Sequence, residues 1–149
     1  MRKLKRIHAS KELSFYSIEG KVLDIPFYES NVPAGFPSPA EDFMDLDLNS
    51  QEYLVQHPSA TFCVKVTGDS MQNAGIFSGD VMVVDRALEP KNKTIVLAVL
   101  DGEFTVKRIH KKGDSLYLNP ENENFKPIEI TEEIDFKVWG VVTHIIHKV

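Results

Sequence analysis

The sequence predicts a mainly antiparallel β protein with one or two short helices, preceded by an N-terminal segment of different texture. Three observations carry this. From Thr61 onward, short apolar runs rich in β-branched and aromatic residues recur at 61–67, 81–85, 94–100, 103–110, 115–118 and 136–146. Gly79-Asp80, Asp101-Gly102 and Gly113-Asp114 punctuate these runs as turn signals. Before them, Pro33-Ala34-Gly35-Phe36-Pro37-Ser38-Pro39 packs three prolines and a glycine into seven residues. Proline removes backbone donors and biases the residue before it toward extended geometry, so this stretch reads as an exposed, non-helical linker.

The elements follow in order. Residues 1–30 show no long period. Leu13-Ser14-Phe15-Tyr16 and Val22-Leu23-Asp24-Ile25-Pro26-Phe27-Tyr28 are short apolar stretches, and Pro26 demotes the second to an edge strand or extended tether. Such a segment can lie along another surface without joining the core. After Pro39, Glu41 and Asp42 suit a helix N-terminus, which predicts a first helix in 40–49 with Asp42, Asp45 and Asp47 on a solvated face. Asn49 or Ser50 can cap a second short helix through Glu52, Tyr53, Leu54 and Val55.

Composition sets limits on function. At 149 residues and 42% apolar content, the chain is long enough for one packed domain and too apolar for wholesale disorder. Cys63 is the only cysteine, so no internal disulfide is available; it lies in an apolar run and reads as a buried strand residue. No apolar run approaches the ~18–20 residues needed to span a bilayer. The basic start, Met1 to Arg6, has no apolar segment after it, which argues against a signal peptide. A cytoplasmic protein is expected. Residues 1–34 carry six Lys/Arg and four Asp/Glu, a net +2, and residues 35–149 carry eleven and eighteen, a net −7. A body this acidic makes a poor stand-alone DNA binder, because nonspecific affinity comes from cations on phosphates.

Asp-Gly between two apolar runs is a strong hairpin signal. With Asp101 and Gly102 as a two-residue turn, Leu100 pairs with Glu103 and Val96 with Lys107. Alternation then places Lys107 on one face with Thr105 and Ile109, near Val96 and Ala98, while Leu97, Val99, Phe104 and Val106 share the other. A mid-strand lysine among such neighbours has two readings. Its stem can lie on the sheet with the amine in water, or the amine can be desolvated and its pKa lowered.

Thr67-Gly68-Asp69-Ser70-Met71 follows the strand at 61–67. Gly68 permits a sharp turn, and Ser70 begins a short helical turn through Gln72 to Ala74 that Gly75 stops. Alone, Ser70 reads as a helix cap. Beside a neutral lysine it reads as a nucleophile, since serine needs an adjacent base and serine–lysine dyads are an accepted variant. At an ordinary pKa only about one lysine in several thousand is neutral at pH 7. Lowering that pKa by about 3 costs about 4 kcal/mol, which burial can supply.

Four stretches taken together, Gln56-His57-Pro58-Ser59-Ala60-Thr61, Gly68-Asp69-Ser70-Met71, Asp101-Gly102-Glu103-Phe104-Thr105-Val106-Lys107 and Gly140-Val141-Val142, resemble the UmuD-like proteins, which stand with LexA-type repressors in a family of self-cleaving serine–lysine proteases. The resemblance covers roughly residues 33–147, in family order. It implies a curved, mostly antiparallel β domain, with Ser70 as nucleophile and Lys107 as general base. The family cuts its own chain before a glycine, which corresponds here to the Ala34–Gly35 bond. That implies a removable arm, 1–34, and a protease and dimerisation domain, 35–149. The small Ala34 suits a tight pocket, and Gly35 lets the backbone approach closely. Residues 1–32 align with nothing in the family. The implied role is in the SOS response to DNA damage: RecA filaments on single-stranded DNA stimulate cleavage, and the processed homodimer joins a UmuC-like error-prone polymerase. A LexA-like repressor would need a DNA-binding domain before the cut, for which 34 residues with Pro26 and Pro33 are too few. A signal-peptidase-like enzyme would need membrane attachment. A non-catalytic interaction module with a vestigial dyad is the remaining alternative.

No cofactor or metal is expected. His144 and His147 fall on opposite faces if they lie on one strand, and His8, His57 and His110 have no partner at ligand spacing. Asp80 and Asp85 flank a strand and read as turn residues.

Overall fold

A computed structural model describes residues 3–9, 13–19, 26–28 and 44–149, with side chains for Leu13 and from residue 52 onward. Among the described residues, nine strands form one antiparallel sheet and two form a small second one. In chain order the strands are β1 (Lys3–Ala9), β2 (Leu13–Glu19), β3 (Pro26–Tyr28), β4 (Met44–Asn49), β5 (Thr61–Val66), β6 (Val81–Asp85), β7 (Ile95–Leu100), β8 (Glu103–Lys112), β9 (Ser115–Asn119), β10 (Ile128–Ile130) and β11 (Phe136–Ile146). The large sheet runs β1-β2-β5-β6-β11-β7-β8-β9-β10, and β3 pairs with β4. The only α-helix among the described residues is α1 (Ser50–Leu54).

The six strands expected after Thr61 are all present, with ends moved by at most two residues. The hairpin register is the expected one: Leu100 pairs with Glu103 and Val96 with Lys107. Asp101 at φ 47° and Gly102 at φ 85° form its turn, the left-handed pair that matches the twist of the flanking strands. Alternation then divides the apolar residues between two clusters. Leu97 and Val106 join Leu13, Val64, Val66, Met71, Ile76, Met82 and Val84 in one. Val96, Ala98 and Ile109 join Leu118 and Val141 in the other. Cys63 is buried and unbridged.

Three expectations need correction. Residues 44–49 form a strand, where a helix was expected from the acids after Pro39. Met44-Asp45-Leu46-Asp47-Leu48-Asn49 alternates apolar and polar residues with period two, the strand period, so Asp45 and Asp47 do not lie on a helix face. Asp42 lies outside the described residues. The N-terminal segment joins the main sheet, where it was expected to lie along a surface without belonging to the core: β1 and β2 form a hairpin, and β2 pairs with β5. Leu13, 4% exposed, belongs to the first core cluster. Strand β10 was not foreseen, because Ile128-Glu129-Ile130 is too short to show a period. Pro26 opens β3, a position where its missing donor is tolerated.

β11 bends the sheet. Its register slips between Val142 and His144 against β6, and between Val138 and Gly140 against β7. Bulges of this kind sharpen the bend and twist of a strand. Between β5 and β8 the sheet order places β6, β11 and β7, yet Val66 and Val106 line one cleft. The sheet is therefore curved, as expected, and the curvature brings the loop after β5 against the middle of β8.

Candidate active site

The loop after β5 begins with Gly68 at φ 98°, a conformation that side-chain-bearing residues rarely adopt. Ser70 follows, half-buried, and the chain enters a short 3₁₀ turn at Gln72–Ala74 that ends on Gly75 at φ 80°. The turn's N-cap is Met71, without a side-chain cap bond, so Ser70 is not the cap that its position in the sequence allowed. Met71, 3% exposed, and Ile76, 1% exposed, anchor the loop in the core on either side of the turn.

Lys107 comes from the middle of β8 and is 7% exposed. Of the two readings of this lysine, the buried one is found. Its Nζ lies 3.2 Å from Ser70 Oγ, 2.9 Å from Thr105 Oγ1 and 3.0 Å from the Val106 carbonyl oxygen. An ammonium donates to all three oxygens. A neutral amine has two N–H groups and one lone pair. The Val106 carbonyl can only accept, whereas each hydroxyl can donate to the lone pair. The arrangement therefore accommodates a neutral amine that takes the Ser70 hydroxyl proton.

Beside Ser70 is an apolar cleft lined by Leu13, Val66, Met71, Ile76 and Val106, with Thr67 and Gly68 at its edge. Space remains there for little more than a small side chain. Ala34 and Gly35 lie outside the described residues. Of the four residues singled out from sequence, the fold thus brings Ser70 and Lys107 into contact.

Sequence reasoning overlooked two sets of polar residues. His57 Nδ1 is 2.6 Å from Asp85 Oδ2, and Asp85 Oδ1 accepts from the Ala87 backbone N–H at 2.8 Å. His57 thus has a partner, and Asp85 is a buried strand residue, 3% exposed, rather than an open turn. Together with the 3₁₀ turn Pro58–Ala60, this pair ties the entry of β5 to the end of β6, so the motif Gln56 to Thr61 serves the scaffold. Asp80 behaves likewise. Burial alone would raise its carboxyl pKa, but the Phe77 N–H at 2.8 Å and the His147 ring at 2.5 Å outweigh burial and hold it below the usual range. The second set is Glu121 and Asn122, after β9, which contact the Ser70 loop. The turn-forming run Pro120-Glu121-Asn122 is the only sign of it in the sequence.

Residues 26–143 match the family described as peptidase S24-like, so the likeness begins before residue 33 and residues 26–32, expected to align with nothing in the family, are part of it. The chain belongs to the peptidase S24-like family. It is similar to Protein MucA of Salmonella typhimurium, 41% identical over 135 residues that cover 83% of this chain and 85% of that one. Protein SamA of Salmonella typhimurium is 46% identical over 125 residues, with the same coverage. LexA repressor of a Shewanella species is 41% identical over 103 residues, which cover 66% of this chain and 48% of the repressor. The resemblance to UmuD-like proteins of the LexA group, read from four motifs, is therefore borne out, and the S24 family is one of serine peptidases. Among the described residues of this S24-family chain, no helix is long and apolar enough to cross a membrane.

Proposed function

We propose that this chain is a UmuD-like, self-cleaving endopeptidase of the bacterial SOS response, in which Ser70 attacks and Lys107 is the general base. The observation that carries the reading is the 3.2 Å approach of the amine of Lys107, a residue 7% exposed, to the hydroxyl of the partly buried Ser70. Burial disfavours the ammonium and so favours the form that can accept a proton. A segment docked over the site would exclude more water and push the same way.

The scissile bond is Ala34–Gly35. Lys107 takes the Ser70 hydroxyl proton as Oγ adds to the Ala34 carbonyl carbon. Backbone N–H groups around Asp69 and Ser70 hold the resulting oxyanion. The intermediate collapses as the Lys107 ammonium returns the proton to the Gly35 nitrogen, which leaves Ala34 esterified to Ser70. Water, deprotonated by the same amine, then hydrolyses the ester. The small apolar cleft at Ser70 suits a small side chain such as that of Ala34. Cleavage separates the arm, 1–34, from the domain, 35–149.

RecA filaments on single-stranded DNA stimulate this step in the cytoplasm. The processed form is a homodimer and an accessory subunit of a UmuC-like translesion polymerase. The acidic body, net −7 over residues 35–149, suits a protein partner better than bare DNA. Two experiments test the role. Self-cleavage should be faster with RecA, ATP and single-stranded DNA than without them. Residues 35–149 should also co-purify with the cognate polymerase; failure of both would remove the damage-response assignment.

A further inference from the structure

We propose that Asn122 is a positioning residue for the Ser70/Lys107 reaction: it holds the peptide plane before Ser70, while the backbone of its neighbour Glu121 holds the plane after it and the Glu121 side chain ties the loop to the lysine strand. The inference rests on the proposed function and goes beyond it, because Asn122 touches neither reacting group in the contacts described above.

Asn122 is 6% exposed, while residues 123–127 after it are exposed. A buried amide is costly unless its polar atoms are satisfied. Here they are spent on the nucleophile loop. Nδ2 donates to the Asp69 carbonyl at 2.8 Å, and Oδ1 accepts from the Asn124 N–H at 2.9 Å. The neighbouring Glu121 N–H donates to the Ser70 carbonyl at 2.8 Å, and the Asn73 N–H donates to the Glu121 carbonyl at 2.8 Å. The carbonyls before and after the Ser70 Cα are thus both held from one loop. Because each peptide unit is planar, holding both carbonyls fixes φ and ψ at Ser70. That in turn sets the direction of its N–H and of its Cα–Cβ bond.

The loop that does this is itself fastened to β8. Arg108 Nε and Glu121 Oε1 are 2.5 Å apart, and Arg108 pairs in register with Asn119. Arg108 follows Lys107 in the chain. One continuous set of contacts therefore runs from the lysine strand through Arg108, Glu121 and Asn122 to Ser70. It sets the separation of the two reacting atoms from behind, without touching either.

Misplacement of a reacting group by about 1 Å can lower a rate by about 100-fold. The test is the first-order self-cleavage rate of full-length protein against pH, for wild type, Asn122→Asp and Asn122→Ala, with thermal unfolding of each measured alongside. Asn122→Asp keeps the shape and the acceptor for Asn124 N–H, but sets a carboxylate oxygen against the Asp69 carbonyl. Rates are taken at temperatures where every variant is fully folded. The expected result is an alkaline plateau about 10- to 100-fold lower in both variants, with the midpoint of the pH profile unmoved in Asn122→Ala, which adds no charge; in Asn122→Asp the new carboxylate favours the ammonium and raises the midpoint, so there the plateau alone is read. A purely structural role would leave the plateau per folded molecule at the wild-type level, and plateaus within about twofold of wild type would overturn the inference. A midpoint shift in Asn122→Ala that accounts for the whole loss would also overturn it. If wild-type protein does not cleave while folded, the proposed function fails and this inference falls with it.

Discussion

Gly140→Ala should destabilise the fold by a margin that follows from local geometry. Gly140 lies in β11 just after the register slip, paired with Leu97. A Cβ placed there would stand 2.6 Å from Val84 Cγ1, 3.3 Å from the Asp85 carbonyl oxygen and 3.4 Å from Arg86 Cγ. Non-bonded carbons prefer about 3.5–4.0 Å, so the overlap with Val84 is about 1 Å. Val84 has no room to move: it is fully buried, and valine is stiff about χ1. Nor can β11 retreat easily, because Val141 and Val142 pair with Asp85 and Val84 on the same strand. Overpacking of this kind costs about 1–3 kcal/mol, against which the lower chain entropy of alanine returns about 0.5–1 kcal/mol. The 2.6 Å approach to a side chain that cannot yield places this site in the upper part of the overpacking range, a net loss of about 1–2.5 kcal/mol, and at about 2–4 °C per kcal/mol for a chain of this size Tm falls by about 2–10 °C. Circular-dichroism melting measures it, together with the urea midpoint at constant slope. An unchanged or raised Tm would show that β6 and β11 can move apart, and the steric reasoning would be wrong.

Other outcomes follow from the same contacts. Lys107→Met keeps an apolar stem and removes the amine, so self-cleavage should vanish while Tm changes little; retained cleavage in this variant would exclude Lys107 as the base. In wild type the neutral amine is the working form, so the rate should fall about tenfold per pH unit on the acid side of the profile, and a rate that does not change with pH there would contradict a lysine base. Asp80 has its folded pKa below the ordinary value, so its contribution to stability is complete above about pH 4 and is lost as pH falls through the folded pKa. Asp80→Asn should flatten the acid limb of urea midpoint against pH, and an unchanged limb would contradict the assignment. Leu97→Ala empties a fully buried site of the first core cluster and should cost about 2–5 kcal/mol in urea unfolding.

The strands after Thr61 were legible because local chemistry and tertiary packing agree there. Asp101 and Gly102 dictate a turn, the turn dictates a register, and the register places Lys107 opposite Val96. What the sequence left open depends on contacts far apart in the chain. The approach of Ser70 to Lys107 spans 37 residues and relies on the bend of β11, which no local pattern announces. The pairs His57–Asp85 and Asp80–His147 span 28 and 67 residues, so each carboxylate looked like a turn residue by itself. Residues 44–49 misled for a different reason. Acids after a proline are a helix signal, but the period of two in the residues that follow is the stronger constraint once a partner strand, β3, is available. Leu13 was set aside with the arm because its own segment has no period; its burial comes from β5 and the cleft at Ser70.

The measurement closest to the central claim is intact-mass spectrometry of purified full-length protein incubated at mildly alkaline pH, with and without RecA, ATP and single-stranded DNA, beside Ser70→Ala and Lys107→Ala. The predicted result is a pair of fragments, 1–34 and 35–149, formed faster with the filament and absent from both variants. Wild-type protein that stays whole under both conditions, or fragments that persist in Ser70→Ala, would contradict it.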